Sequence, residues 1–184
     1  LWALPEKEFV ALYSPVMKKR VDLPEKKYEG YIFDLDGTLV DSMPLHYRAW
    51  REALARAGAP DHVFRTDEFY SCGGKSANDV VRFLNERYGM HMDAASTAAD
   101  KRRIYLEMLE KEGMQPIREV VEFVHSLGDA PKAIATGSAM PGASRTLAAA
   151  GLSGLFDVIL TPDEVEHGKP APDMFLKAAE LLGD

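Results

Sequence analysis

Apolar positions along this chain follow two different periods. "GYIF", residues 30–33, packs aromatic and β-branched residues into a short run that predicts a strand. Beyond it the spacing turns helical. "PLHYRAWREALARAG" ends on Gly58, a C-terminal cap signal. "ANDVVRFLNERYG" sets Val80, Val81, Leu84 and Tyr88 on one face and closes on Gly89, and "ADKRRIYLEMLEKEG" repeats the pattern with Ile104, Tyr105, Met108 and Leu109. A fourth stripe, Ile117, Val120, Val121, Val124 and Leu127, predicts another helix. Strand and helix then alternate: "KAIAT", "SRTLAAAG", "FDVILT", and "PDMFLKAAELLG" with Pro172 near its first turn. At the front, "EKEFVALYSPVMKK" reads as a short helix interrupted by Pro15, and "VDLPEKKYEG" as a charged connector.

Alternation from residue 117 onward is the mark of a parallel sheet. The reading is an α/β protein whose strand at 30–34 belongs with residues 117–184, interrupted by an all-helical insertion. The expected division is an N-terminal extension (1–29), an α/β core (30–42 and 117–184) and a helical cap (43–116). A base with a mobile lid suits an enzyme that must cover its site. With 46% hydrophobic residues the chain has material for one good core. A net charge of −7 leaves no cation excess for nucleic-acid backbones, so no nucleic-acid partner is expected. The single cysteine, Cys72, excludes an intrachain disulfide and suits a reducing cytoplasm. Apolar runs stay short of the ~20 residues of a membrane span, and "LWALPEKEF" is unlike a secretory signal. A cytoplasmic protein without a membrane partner is expected, as monomer or homodimer.

The chemistry concentrates in "DLDGTLVDS", residues 34–42. Side chains alternate along a strand, so Asp34 and Asp36 point one way and Leu35 into the core. Open α/β sheets place ligands beyond the carboxyl ends of their strands. Two carboxylates so close repel unless a cation sits between them, and magnesium, a hard cation that accepts carboxylate, carbonyl, water and phosphate, suits the place. Two other strand ends converge there. Thr136 offers a hydroxyl and the amides of the following turn, at Gly137 and Ser138, for phosphate oxygens. Lys169, in "HGKPAPD", offers a point charge.

"DLDGTLVDS", "ATGS" and "GKPAPDMF", in that order and with a helical insertion after the first, resemble the haloacid dehalogenase superfamily, and the insertion is similar to that of its β-phosphoglucomutase and sugar-phosphate phosphatase branch. The resemblance spans residues 30–184. It implies a three-layer, Rossmann-like parallel sheet with a helical cap inserted after the first strand. It further implies that Asp34 takes the phosphoryl group as an aspartyl-phosphate, and that Asp36 protonates the leaving oxygen and then deprotonates water. Magnesium would be held by Asp34 and Asp36, Thr136 would hydrogen-bond the phosphoryl group, and Lys169 would orient Asp34. An acid at position 36 argues against dehalogenation, whose leaving group needs no proton. The activity implied is hydrolysis of a small phosphorylated metabolite, with a sugar-phosphate mutase as the alternative and a non-catalytic binding protein as a third reading. A mutase calls for cationic lid groups, and "SCGGKSAND" offers only Lys75.

Within the insertion, His46 lies one helical turn from Trp50, on the lid helix that faces the substrate in that branch. Lys75, in the glycine-rich "SCGGKS", can reach an anionic or sugar substrate. Cys72 reads as an inert buried thiol. His62, His91, His125 and His167 lack metal-ligand spacing. Two departures from the family pattern stand out. The pattern continues past "LLGD" through a strand carrying further metal acids, so the protein as made is expected to be longer than this sequence, the alternative being a true truncation that binds magnesium poorly unless another chain donates the strand; without that strand, "YIFDLD" would be an exposed apolar edge. And residues 1–29 precede the usual start.

Overall fold

Tyr31, Ile32 and Phe33 are each 2% exposed or less, the burial of a strand covered on both faces. A computed structural model describes residues 2–3, 9–12 and 27–183 of the chain. Its sheet comprises β1 (Trp2–Ala3), β2 (Phe9–Leu12), β3 (Gly30–Phe33), β4 (Lys132–Ala135) and β5 (Val158–Leu160), lying side by side in chain order. From β2 to β5 neighbours run parallel, with Ile32 opposite Ala133 and Ile134 opposite Ile159. The helices are α1 (Met43–Arg56), α2 (Thr66–Ser71), α3 (Ala77–Tyr88), α4 (Ala94–Glu112), α5 (Arg118–Ser126), α6 (Met140–Ala149) and α7 (Asp173–Leu182).

Alternation along the strands divides the core between two faces. Ile32, Ala133, Ala135 and Leu160 pack with Met174, Ala178 and Ala179 of α7. Tyr31, Phe33 and Ile134 point the other way, into Val120 and Val124 of α5 and Ala143 and Leu147 of α6. One side of α1 and the C-terminal half of α4 join this second face through Leu45, Ala49, Ala53, Ile104, Tyr105 and Leu109. Farther out, Trp50, Leu54, Val63, Phe64, Phe69, Val80, Val81 and Leu84 form a separate apolar cluster. The α1–α4 seam thus joins the sheet to the outer helices.

Local signals account for the helix ends. Ser76 accepts from the Asp79 amide at the start of α3, and Gly89 closes it in the left-handed conformation. α4 begins earlier than its apolar stripe, because Asp93 caps it by accepting from the Ser96 amide at 2.7 Å. α6 likewise starts at Met140, with Pro141 in its first turn. α2 has six residues, too few to show a helical period.

The N-terminal expectations need correction. Phe9–Leu12 is a strand, not part of a helix, and it pairs in parallel with β3, Phe9 opposite Gly30 and Leu12 opposite Phe33. β3 is therefore interior instead of an exposed edge. The open backbone groups along β3 are a template that an apolar four-residue run satisfies. The rest of the proposed helix and its Pro15, with the connector up to residue 26, lie outside the described residues. Among the described residues no helix is long and apolar enough to cross a membrane.

Candidate active site

β3 stops at Phe33, so the acid pair sits in the turn that follows it. Gly37 makes that turn with φ +74°, and a Cβ there would meet Met43 Cγ at 2.9 Å. Leu35 is fully buried, while Asp34 and Asp36 both reach one cavity of about 370 Å³. The expected alternation holds even though the regular strand has ended.

Asp34 is 4% exposed. Its Oδ1 accepts from Lys169 Nζ at 2.8 Å, and the same ammonium donates to the Ala135 carbonyl at 2.8 Å. Burial raises the Asp34 carboxyl above its ordinary value, against the opposing charge and hydrogen bond of Lys169. Lys169 is itself 5% exposed and lies over the Phe175 ring, 5.0 Å from its centre.

Asp36 is surrounded by donors. Ser42 Oγ donates to Oδ1 at 2.6 Å and His46 Nε2 approaches the same oxygen at 2.8 Å. Ser138 Oγ donates to Oδ2 at 2.7 Å, and Thr136 Oγ1 lies 3.5 Å from it. Burial pushes this carboxyl up, but His46 and the two serine hydroxyls outweigh burial and hold it well below the carboxylate range. Thr136 Oγ1 in turn accepts from the Ser138 amide at 3.1 Å, which shapes the turn after β4.

Behind Asp36 runs a relay. His46 is 7% exposed and stacks on Tyr105, with ring centres 4.1 Å apart and planes 10° apart. Its Nδ1 is 2.8 Å from Lys101 Nζ. Burial, reinforced by the Lys101 charge, lowers the imidazole's pKa. A neutral ring then donates from Nε2 to Asp36 and accepts at Nδ1 from Lys101. Lys101 sits 5.5 Å from the Trp50 ring centre and 5.4 Å from that of Tyr105. Burial brings its ammonium down from 10.5 to about 8, with Arg102 adding to the fall and Asp36 opposing it. Tyr105 is fixed by a 2.8 Å bond to Thr146 in the core.

Of the residues expected at the site, Asp34, Asp36, His46, Lys75, Gly137 and Ser138 line the cavity. Thr136, with no exposed surface, and Lys169 stand behind its wall and act on it through Asp36 and Asp34. Lys75 lines it with Nζ 4.8 Å from the centre of the Phe83 ring. Gly137 lies against the cap loop so closely that a Cβ on it would be 2.4 Å from the Gly74 carbonyl oxygen. Sequence reasoning missed Ser42 and Lys101. Ser42 closes the "DLDGTLVDS" motif, and Lys101 precedes Tyr105 by one helical turn, a lysine on an otherwise buried stripe. Cys72 is 5% exposed with its thiol pKa raised by burial, in keeping with an unreactive group. The helical insertion also carries more positive charge than Lys75: Arg82, Lys101 and Arg102 line the cavity together with Asp79, Asp163 and Glu166.

The donor set suits magnesium. Lys169 takes Oδ1 of Asp34, whose side chain lines the cavity, and no backbone amide among the described residues donates to the Asp36 carbonyl. A carboxylate oxygen and a carbonyl oxygen are a fitting protein share for an ion that keeps waters and takes substrate phosphate. Among the described residues no group of three or more acidic, histidine or cysteine side chains gathers for a metal.

The chain is also similar to known proteins. Residues 28–184 match the family model described as haloacid dehalogenase-like hydrolase. The chain is 33% identical to fructose-1-phosphate phosphatase of Escherichia coli over 86% of this chain and 82% of that protein. It is 31% identical to β-phosphoglucomutase of Mycobacterium bovis over 93% of this chain and 75% of that one. A crystal structure of a hydrolase from Pseudomonas syringae superposes with a TM-score of 0.74 at 30% identity, covering 84% of this chain and 70% of that one. The chain belongs to the haloacid dehalogenase-like hydrolases.

Proposed function

We propose that this hydrolase is a magnesium-dependent phosphatase of small phosphorylated metabolites, sugar phosphates first among them. The observation that carries this reading is the contrast between two neighbouring carboxylates. Asp34 is buried on Lys169 at the cavity wall, and Asp36 is held by Ser42, His46 and Ser138. Environments that push two carboxyls in opposite directions mark a division of labour between nucleophile and proton carrier.

In this reading Asp34 Oδ2 attacks phosphorus and the bond to the leaving oxygen breaks, giving an aspartyl-phosphate. Asp36 protonates the leaving oxygen. It then takes a proton from the water that attacks the phospho-aspartate, which frees Asp34 and inorganic phosphate. The resting geometry keeps Asp36 ionised, the form that activates water. The first step requires that substrate loosen its bonds to Ser42, His46 or Ser138 so that a proton can reside there. Lys169 keeps Asp34 oriented, and Thr136 sets the turn whose amides and Ser138 hydroxyl face the phosphoryl oxygens. Asp34 and the Asp36 carbonyl would hold magnesium, which would neutralise charge on the transferring group. The helical region 43–116 serves as cap over a core of 30–42 and 117–184, and Lys75 and His46 face the substrate's non-transferring part.

The mutase stays as the second reading because of the cationic lid. Arg82, Lys101 and Arg102 join Lys75 on the cavity, so lid charge no longer separates hydrolysis from mutation. The test is turnover of an aryl phosphate and of hexose phosphates, with magnesium and with chelator, beside Asp34→Asn. Magnesium-dependent phosphate release that falls at least about 10³-fold in Asp34→Asn supports the phosphatase. Interconversion of hexose phosphate isomers without net phosphate release would select the mutase. Equal activity of Asp34→Asn would refute both.

A further inference from the structure

Lys101 lines the cavity wall, and the hydrolytic scheme uses its ammonium only as a donor to His46, never its amine as a nucleophile. Its amine faces the same cavity as Asp34 and Asp36 and lies one imidazole away from the Asp36 carboxylate. Trp50 and His46 flank it from α1, Tyr105 and Arg102 from α4. Aromatic walls and a neighbouring guanidinium are the two devices that turn a lysine into an amine nucleophile, the first by desolvation and the second by charge. Lys75, the other lysine on the cavity, is over Phe83 in the cap and has no such enclosure.

We propose that Lys101 is a covalent site for phosphorylated metabolites that carry a free aldehyde, binding them as a reversible imine. The proposal rests on the phosphate seat advanced above, at Asp34, Ser138 and the turn after Thr136, to present the carbonyl to the amine. The neutral amine adds to the carbonyl carbon, forming the C–N bond as the C=O π pair moves to oxygen and is protonated. Loss of that oxygen as water and of the remaining amine protons to solvent leaves C=N, and hydrolysis reverses each step. No oxidant or reductant enters. An ammonium that titrates near 8 is roughly one-fifth neutral at pH 7.4, where an ordinary lysine is neutral about once in a thousand molecules. Open-chain aldose phosphates belong to this class. An imine would retain them in the cavity, so such compounds would act as slow, reversible inhibitors.

The probe is pyridoxal 5′-phosphate, which joins an aldehyde to a phosphate, added to the full chain in chelator so that no hydrolysis occurs. Borohydride then fixes any imine as a secondary amine, and peptide mass mapping locates it. The expected result is an adduct at Lys101 forming at least tenfold faster than at any other lysine, slowed by inorganic phosphate, and at least tenfold slower with pyridoxal. Lys111→Arg, exposed near the end of α4, should label as the wild type does, and Lys101→Arg should lose the adduct while keeping its circular dichroism. Adducts on Lys75 or scattered over surface lysines, indifference to phosphate, or equal rates with pyridoxal would overturn the proposal. The wild-type mapping decides this even if Lys101→Arg fails to fold. A protein that labels at Lys101 yet releases no phosphate from any ester would sink the phosphatase reading and leave the imine site standing.

Discussion

Gly137→Ala tests whether the cap must seat directly on the loop that follows β4. The added Cβ would lie 2.4 Å from the Gly74 carbonyl oxygen, 2.9 Å from its carbon and 3.1 Å from the Lys75 carbonyl oxygen. All three obstacles are backbone, so no side chain can swing away. Reaching an ordinary contact requires the cap loop to retreat by about 1 Å, and a misplacement of that size can cost about 10²-fold in rate when positioning carries catalysis. Overpacking a fixed interior costs about 1–3 kcal/mol, but here the strain can be relieved by lifting the loop, so folding should be little affected. The assay compares kcat/KM for a sugar phosphate, which needs the cap, with that for p-nitrophenyl phosphate, which needs mainly Asp34 and Asp36. We expect the former to fall about 10- to 100-fold, the latter by less, and the melting temperature to change by under about 3 °C. Ser144→Ala, exposed on α6 and away from the cavity, is the control and should leave both rates unchanged. A sugar-phosphate kcat/KM within twofold of wild type would refute the reasoning, because the contact would then be dispensable.

Two further variants separate charge from position. Lys169→Met strands Asp34 where both side chains are about 95% covered, which should cost about 3–5 kcal/mol in denaturant unfolding and abolish turnover; a loss below about 1 kcal/mol would show that the pair is not structurally coupled. For Lys101, rising pH through about 8 removes the ammonium that donates to His46 Nδ1, so wild-type kcat/KM should decline on an alkaline limb near pH 8 that Lys101→Met lacks; a limb unchanged in the variant would exclude Lys101 as its source. The folded pKa of about 8 lies below the unfolded 10.5, so the folded chain holds fewer protons between those values and this group's contribution to stability improves as pH rises from 8 to 10.5. Below pH 8 the buried charge costs roughly 3 kcal/mol, offset in the variant by an unpaired imidazole nitrogen, so the melting temperature at pH 7 should not fall by more than a few degrees.

What could be read from the sequence and what could not divides along the range of the interactions. Asp34 and Asp36 are two residues apart at the end of a strongly apolar run, so their shared direction is set locally. Thr136 and Lys169 were legible for a similar reason: each marks where an apolar or patterned segment meets a turn, and a parallel sheet brings such ends to one edge. Phe9–Leu12 was misread because four apolar residues fit a helix and a strand equally well, and the choice was made by β3, a partner distant in sequence. Lys101 was missed for the same kind of reason. Its reach into the cavity depends on the angular register of α4 against α1, which Ile104, Tyr105 and Leu109 fix by packing on Leu45, Ala49 and Ala53.

That register also explains why the acid pair alone does not specify the chemistry. Asp36 is held ionised by His46, His46 is held neutral by burial and Lys101, and Lys101 is desolvated by Trp50 and Tyr105. The first of these contacts joins α1 to the turn after β3 and the others tie α4 to α1, so a motion of the two helices against the sheet would change the protonation balance of Asp36. A cap that opens would loosen His46 from Asp36 and let its carboxyl rise toward the ordinary range, the direction needed to donate a proton. A cap that closes restores the carboxylate that activates water. In the proposed mechanism, acid and base roles on one side chain would then follow from the position of two helices, and this coupling would let the contact between Gly137 and Gly74 govern a reaction centred on Asp34.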